Sequence, residues 1–253
     1  ILKDPTVEFA VLETARGGIL RSGLGFSRCD IAVITNIQED HLGLSDIHTL
    51  DDQARVKSTV VKSVKKDGWA ILNAEDEQCV KIGQELSCNV AYFSMDEENA
   101  LIKKLCKEGK IVCVYENGFI TVKKGEWKIR IERATHVPLT MGGKAKFMIA
   151  NVLAATLAGY LQGFKTEDIS LSLQTFIPSA AQTPGRMNIF DFKKFKVLID
   201  FAHNPSGYLG VEDFLSSVVA NKKIGIIAGV GDRRDEDIKE CARIAGRMFD
   251  HII

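Results

Sequence analysis

No sign of charge dominates these 253 residues, since Lys plus Arg and Asp plus Glu number 33 each. Such a balance supplies no global field to draw the chain onto nucleic acid or an acidic membrane, so neither is expected as a partner. Local basic runs such as Lys62–Lys66 and Lys123–Lys124 read as solvated faces. The six cysteines, at 29, 79, 88, 106, 113 and 241, contain no CxxC pair. That excludes a zinc ribbon or thioredoxin motif and fits reduced thiols. No apolar run reaches the ~18 residues of a membrane span, no signal-peptide pattern opens the chain, and there is no repeat or low-complexity tract. A soluble, cytoplasmic protein is expected. The first residue is not Met and the last four, Asp-His-Ile-Ile, read as the start of a strand, so both ends are expected to be cut from something longer.

What is present is ordinary globular material, 45% hydrophobic and 26% charged, enough for a sizeable core in one or two domains. Val7–Glu13, Ile31–Ile37 and Trp69–Leu72 are short apolar runs of the kind that suits parallel strands covered on both faces. The spacing of Leu50, Ala54, Val56, Val60 and Val61 predicts a helix over Thr49–Val64, with Asp51 and Asp52 at its positive end. Between Val90 and Val137, alternating runs separated by Glu-Asn-Gly and Lys-Gly-Glu predict peripheral antiparallel hairpins. Lys144–Leu161 is apolar all round and predicts a buried helix. Pro178–Gly185 reads as a linker. Two strands, Met187–Phe192 and Lys196–Phe201, follow it, then a helix from Ser206 to Val219, a strand over Lys223–Ala228 and a helix from Arg234 to Phe249. The fold class expected is α/β, a mostly parallel sheet with peripheral hairpins (residues 1–180) followed by a second, truncated α/β unit (181–253).

In open α/β sheets, ligands gather beyond the carboxyl ends of the strands. Four such ends carry polar groups: Glu13-Thr-Ala-Arg16, Asn36–His41, Asn73–Asp76 and Asp200–Asn204. A lone acid there is more often a cap or turn former, but four ends in one chain point to a site. Glu13 and His41, expected on neighbouring strands, could hold a divalent ion that keeps several waters, as Mg²⁺ does beside phosphates; the plainer reading of His41 is a loop or N-cap histidine. Lys57 reads as a surface lysine. Asn151, inside the apolar helix, needs partners if buried. Gly229–Asp235 follows a strand and precedes a helix, so it could hold an anion, but it lacks the full GxGxxG of a dinucleotide site.

Read in order, ETARGGILRSGLGF, NIQEDHLG, ARVKS, LNAEDE, AYFSM, VYENGFI, FMIANVLAATLAGY, PSAAQTPGRMN, DFAHNPSGY and GDRRDED resemble the Mur ligase superfamily. ETARGGILR and SAAQTPGRMN resemble, within it, the Mur-like half of cyanophycin synthetases. The resemblance implies the Mur ligase central ATP-binding domain and the start of a Rossmann-like C-terminal ligase domain. It implies an ATP-dependent amide ligase that activates aspartate side-chain carboxylates of a poly-aspartate chain and joins them to arginine, with ATP and Mg²⁺ as cofactors and a homo-oligomeric whole protein. By the same resemblance Glu13 and His41 are Mg²⁺ ligands and Lys57 matches a lysine carbamylated by CO₂. Asn151 matches an adenine contact, while Arg186 and Asp200 match nucleotide contacts. His203 and Asn204 belong to a loop facing the cleft, and Thr14, Arg16, Gly17 and Gly18 to acceptor or phosphate contacts.

The superfamily's GxxGK[ST] phosphate loop does not occur here and is expected upstream of Ile1, so this chain alone is expected to be inactive. Two alternatives stand beside this reading. One is a catalytically inactive, scaffold-like half of a synthetase that polymerises a dipeptide; the other is a different Mur-type amino-acid ligase. A dinucleotide-binding oxidoreductase would rest on the α/β pattern and Gly229–Gly231 alone.

Overall fold

In the computed structural model of the chain, residues 3–39, 42–43, 47–229 and 233–253 are described. Six strands form one sheet in chain order: β1 (Cys29–Ile34), β2 (Val64–Asn73), β3 (Asn89–Ser94), β4 (Ile111–Glu116), β5 (Phe119–Lys124) and β6 (Trp127–Arg133). Neighbours are parallel from β1 to β4 and antiparallel from β4 to β6, as the hairpin signals require. Three crossover helices connect the parallel strands: α2 (Leu50–Lys62), α3 (Glu77–Glu85) and α4 (Ala100–Lys107). A short α1 (Arg16–Ser22) precedes β1.

Strand alternation sorts the core into two layers. Ala70, Leu72, Val112 and Val114 face Ala54, Val61, Cys79, Ile82 and Ile102 of α2, α3 and α4. Ile71, Phe93, Cys113, Ile120 and Val122 face Ile149, Leu153 and Leu157 of α5 (Lys146–Leu161), with α6 (Thr166–Thr175) added through Ile169. Burial on both faces explains why Trp69–Leu72 of β2 reads as an unbroken apolar run, while Val33 of β1 stays 38% exposed. Local chemistry sets the helix starts. Thr49 accepts from the Asp52 amide while Asp52 reaches back to the Thr49 amide, a full capping box. Gly83 of α3 is fixed by packing, since a Cβ there would lie 1.9 Å from the Tyr92 hydroxyl.

Two expectations fail in this unit. Val7–Glu13 is irregular and its apolar residues are open, with Val11 98% exposed. A β-branched run becomes a strand only when a neighbour pairs with it, and none among the described residues does. Helix α5 is buried along most of its length, yet Asn151 and Ala155 lie on an exposed stripe, so the amide is not a core group.

After an irregular connection, β7 (Asn188–Asp191) and β8 (Lys196–Ile199) form the expected hairpin. Helices α7 (Pro205–Ser216) and α8 (Asp235–Met248) pack through Tyr208, Val211, Ile244, Ala245 and Met248. The strand expected over Lys223–Ala228 is laddered only at β9 (Ile224–Gly225), matching its short parallel partner β10 (His251–Ile252). Ala145 and Met148 meet Met187 and Phe214 in a buried seam, and Lys146 pairs with Asp213 at 2.9 Å, so this second unit is seated on the N-terminal end of α5. No helix among the described residues is long and apolar enough to cross a membrane.

Candidate functional site

Glu13 lies exposed in the irregular segment before α1, and no described residue bonds its carboxylate. Gly17 and Gly18 occupy the first turn of α1. Neither glycine is required by its neighbours. A Cβ on Gly18 would meet nothing within 4 Å, and one on Gly17 only the Arg21 guanidinium, 3.9 Å away. What the glycines leave is open backbone surface beside Thr14 and Arg16.

Ile19 of α1 packs on Leu42, Ile47 and Val56. That contact brings the Thr14–Gly18 segment to α2 at the residue preceding Lys57. Lys57, expected at the surface, is half-buried, and its ammonium donates to the Asn36 carbonyl beyond β1 at 3.3 Å. His41 lies outside the described residues.

The strand end after β2 is occupied differently. Asn73 donates to the Thr35 carbonyl at 3.0 Å and accepts from the Glu75 amide at 2.9 Å. Glu75 accepts from the Ser94 hydroxyl at 2.8 Å and from the Met95 amide. Asp76 caps α3 by accepting from the Cys79 amide at 2.9 Å, and its other oxygen accepts from the Ile37 amide at 2.6 Å. These acids brace β1, β2 and β3 against one another. Beside them, burial pushes the Cys79 thiol up to about 12, with the Asp76 charge adding to the effect, so it is an inert packing group.

The second unit gathers four of the expected residues. Arg186 lies over the Phe201 ring at 5.1 Å, Phe201 contacts the His203 ring at 5.2 Å, and His203 Nδ1 is 2.9 Å from the Phe201 carbonyl. Asp200 accepts from the Met187 amide at 3.0 Å and the Ala202 amide at 2.9 Å, tying the connecting segment to the loop after β8. It thereby holds Met187, fully buried, in a left-handed conformation (φ +51°). Asn204 caps α7 by accepting from the Gly207 amide at 2.8 Å. Asn151 borders this group through Met148, whose sulfur accepts from its amide at 3.8 Å and which packs on Met187.

Sequence reasoning passed over the residues that join the two units here. Arg234, N-cap of α8, donates to Glu39 at 2.7 Å and to both oxygens of Asp237 at 2.9 Å. The hydrogen bonds from Arg234 to Asp237 and then to Glu39 raise its already high pKa, so the guanidinium is a permanent cation linking the loop after β1 to α8. Beside it lies a cavity of about 190 Å³ lined by His203, Tyr208, Gly229, Arg233, Asp237 and Cys241. The only signal in the sequence was the charged GDRRDED string, part of which, 230–232, lies outside the described residues.

Residues 2–159 match the Mur ligase middle domain. The chain is 49% identical over its whole length to the cyanophycin synthetase of Nostoc sp. (strain PCC 7120) and 50% identical to that of Geminocystis herdmanii, covering 28% and 29% of those proteins. It thus spans under a third of the length of these relatives. Among solved structures, it resembles MurF from Acinetobacter baumannii (TM-score 0.64, 19% identity, 88% of this chain and 46% of that one). It also resembles E. coli FolC in complex with ADP (TM-score 0.61, 16% identity, 88% and 46%).

Proposed function

Because the chain belongs to the Mur ligase family through its middle domain, we propose that it is the ligase portion of a cyanophycin-synthetase-type enzyme, with the central domain at 1–180 and the C-terminal domain beginning at 181. The reaction is amide formation in two steps. An aspartate side-chain carboxylate of an acidic polymer attacks the γ-phosphorus of ATP, giving an acyl phosphate and ADP. The α-amino group of arginine then attacks the acyl carbon, forming the amide and releasing phosphate. The observation that carries this reading is the pairing of Glu13, a carboxylate that no described residue binds, with the open backbone at Gly17 and Gly18.

The residues present fit the groups this chemistry needs. Glu13 offers hard oxygen donors of the kind that hold Mg²⁺ together with phosphate oxygens and water, and His41 is the second proposed ligand. When bound, Mg²⁺ supplies neutralisation of charge on the transferring phosphoryl group. Lys57 is half-buried and directed at the loop after β1; as a carbamate it would present an anion there in place of a cation. Thr14, Arg16, Gly17 and Gly18 are assigned to phosphate or acceptor contacts. Asn151, Arg186 and Asp200 are assigned to the nucleotide, with Asn204 and His203 closing the cleft from the second unit. Asp200 and Asn204 also serve as braces, which holds Arg186 and His203 in place.

Purified whole protein tests the reading directly. ATP consumption should require both poly-aspartate and arginine, and hydrolysis indifferent to both would overturn it.

A further inference from the structure

The sheet face covered by α2, α3 and α4 continues past α4 onto the hairpins, where it is open. Strand pairing sets Glu116 of β4, Phe119 and Lys123 of β5, and Lys128, Arg130 and Arg133 of β6 on this face. Lys123, expected to be a solvated lysine, is instead drawn over the buried Glu116 at 2.7 Å and stands 3.8 Å from Glu97. Lys128 also reaches Glu116, at 3.0 Å, and Arg130 is 4.0 Å from it. Arg130 and Arg133 flank one ring, 4.6 Å and 4.5 Å from the centroid of Phe119. Two carboxylates therefore answer four cations, and Lys128, Arg130 and Arg133 are all exposed. Cations brought this close repel one another, which an added anion would relieve.

We propose that this face is a docking site for an extended polycarboxylate chain, whose side-chain carboxylates bridge Lys128, Arg130 and Arg133. Guanidinium forks match carboxylates in bidentate fashion. A nucleic acid is the poorer occupant, because the two arginines already cover Phe119, which removes a stacking platform, and Glu116 and Glu97 interrupt a phosphate track. The site rests on the ligase reading only in the choice of an aspartyl polymer as occupant.

Labelled poly-L-aspartate, titrated with the 253-residue chain at low salt and without ATP, tests it by fluorescence anisotropy. Arg130→Glu with Arg133→Glu should weaken binding about tenfold or more. Lys193→Glu with Lys194→Glu, an equal charge change on the exposed β7–β8 turn, should stay within about twofold. Should the first pair fail to fold by circular dichroism, Arg130→Gln with Arg133→Gln must still lower affinity more than the turn pair does. No binding by the unaltered chain, equal losses at both places, or tighter binding to a DNA strand of equal charge would each overturn the site. Because ATP is absent, whole-protein turnover that persists while this binding fails would sink the docking site and leave the ligase reading standing. The opposite pattern would do the reverse.

Discussion

Glu75 and Asp76 after β2 and Glu13 before α1 look alike in the sequence, as acids at strand ends, and the structure separates them. Every oxygen used by Glu75 and Asp76 accepts from the chain itself, through Ser94, Met95, Cys79 and Ile37. Glu13 accepts from no described residue and is followed by glycines that leave room no neighbour fills. At these two places the bonded carboxylates hold the chain together, while Glu13, without such bonds, is open to a ligand. The difference lies in bonding and not in residue type, so substitutions at the two places should fail in different ways.

The largest effect is expected at Glu13. Glu13→Ala in the whole protein should lower turnover by about a hundredfold or more and leave the thermal midpoint unchanged, since the residue is exposed and removes no core volume. Lys57→Ala should also lose most activity, and a short-chain carboxylic acid added to the assay should restore part of it if a carbamate acts there; no rescue at any concentration would count against that role.

On the architectural side the order reverses, with stability lost and chemistry kept. Asp76→Ala removes the α3 cap and the acceptor for Ile37, and chemical denaturation should show a loss of about 2 kcal/mol. Gly83→Ala should destabilise by about 1–2 kcal/mol, overpacking against Tyr92 outweighing the better helix propensity of alanine. Adding Tyr92→Phe should recover part of that loss, and if it does not, the clash is not with the hydroxyl.

A pH-dependent effect is expected at Glu132, which belongs with the braced acids. Burial acts to raise its pKa but is outweighed by hydrogen bonds from Gln174, Ser170, the Arg133 amide and His136, which take it from 4.5 down to about 2. A lowered native pKa gives stability that is present above 4.5 and is lost as pH falls toward 2. Glu132→Gln should therefore be less stable than the unaltered chain at neutral pH, with the gap closing between pH 4.5 and about 2. A gap independent of pH would place the effect in packing.

Much of the fold was legible because its signals are local. Trp69–Leu72 is apolar on both faces because both faces are covered, and Thr49 with Asp52 announces a helix start within four residues. Val7–Glu13 misled because strand formation depends on a partner that the run itself does not encode. Asn151 misled because apolar neighbours all round a helix do not say which stripe stays open. The site was legible only as residue types at strand ends. That Asp76 is spent on Ile37, or that Arg234 meets Glu39 across 195 positions, depends on tertiary placement with no periodic trace in the chain.

Whether Glu13 serves chemistry where Asp76 serves structure is decided by ATP turnover of the whole protein with poly-aspartate and arginine, measured on Glu13→Ala and Asp76→Ala below the melting temperature of both. Turnover should collapse in Glu13→Ala and stay within severalfold of the unaltered enzyme in Asp76→Ala. Near-normal turnover in Glu13→Ala would contradict the chemical role of Glu13.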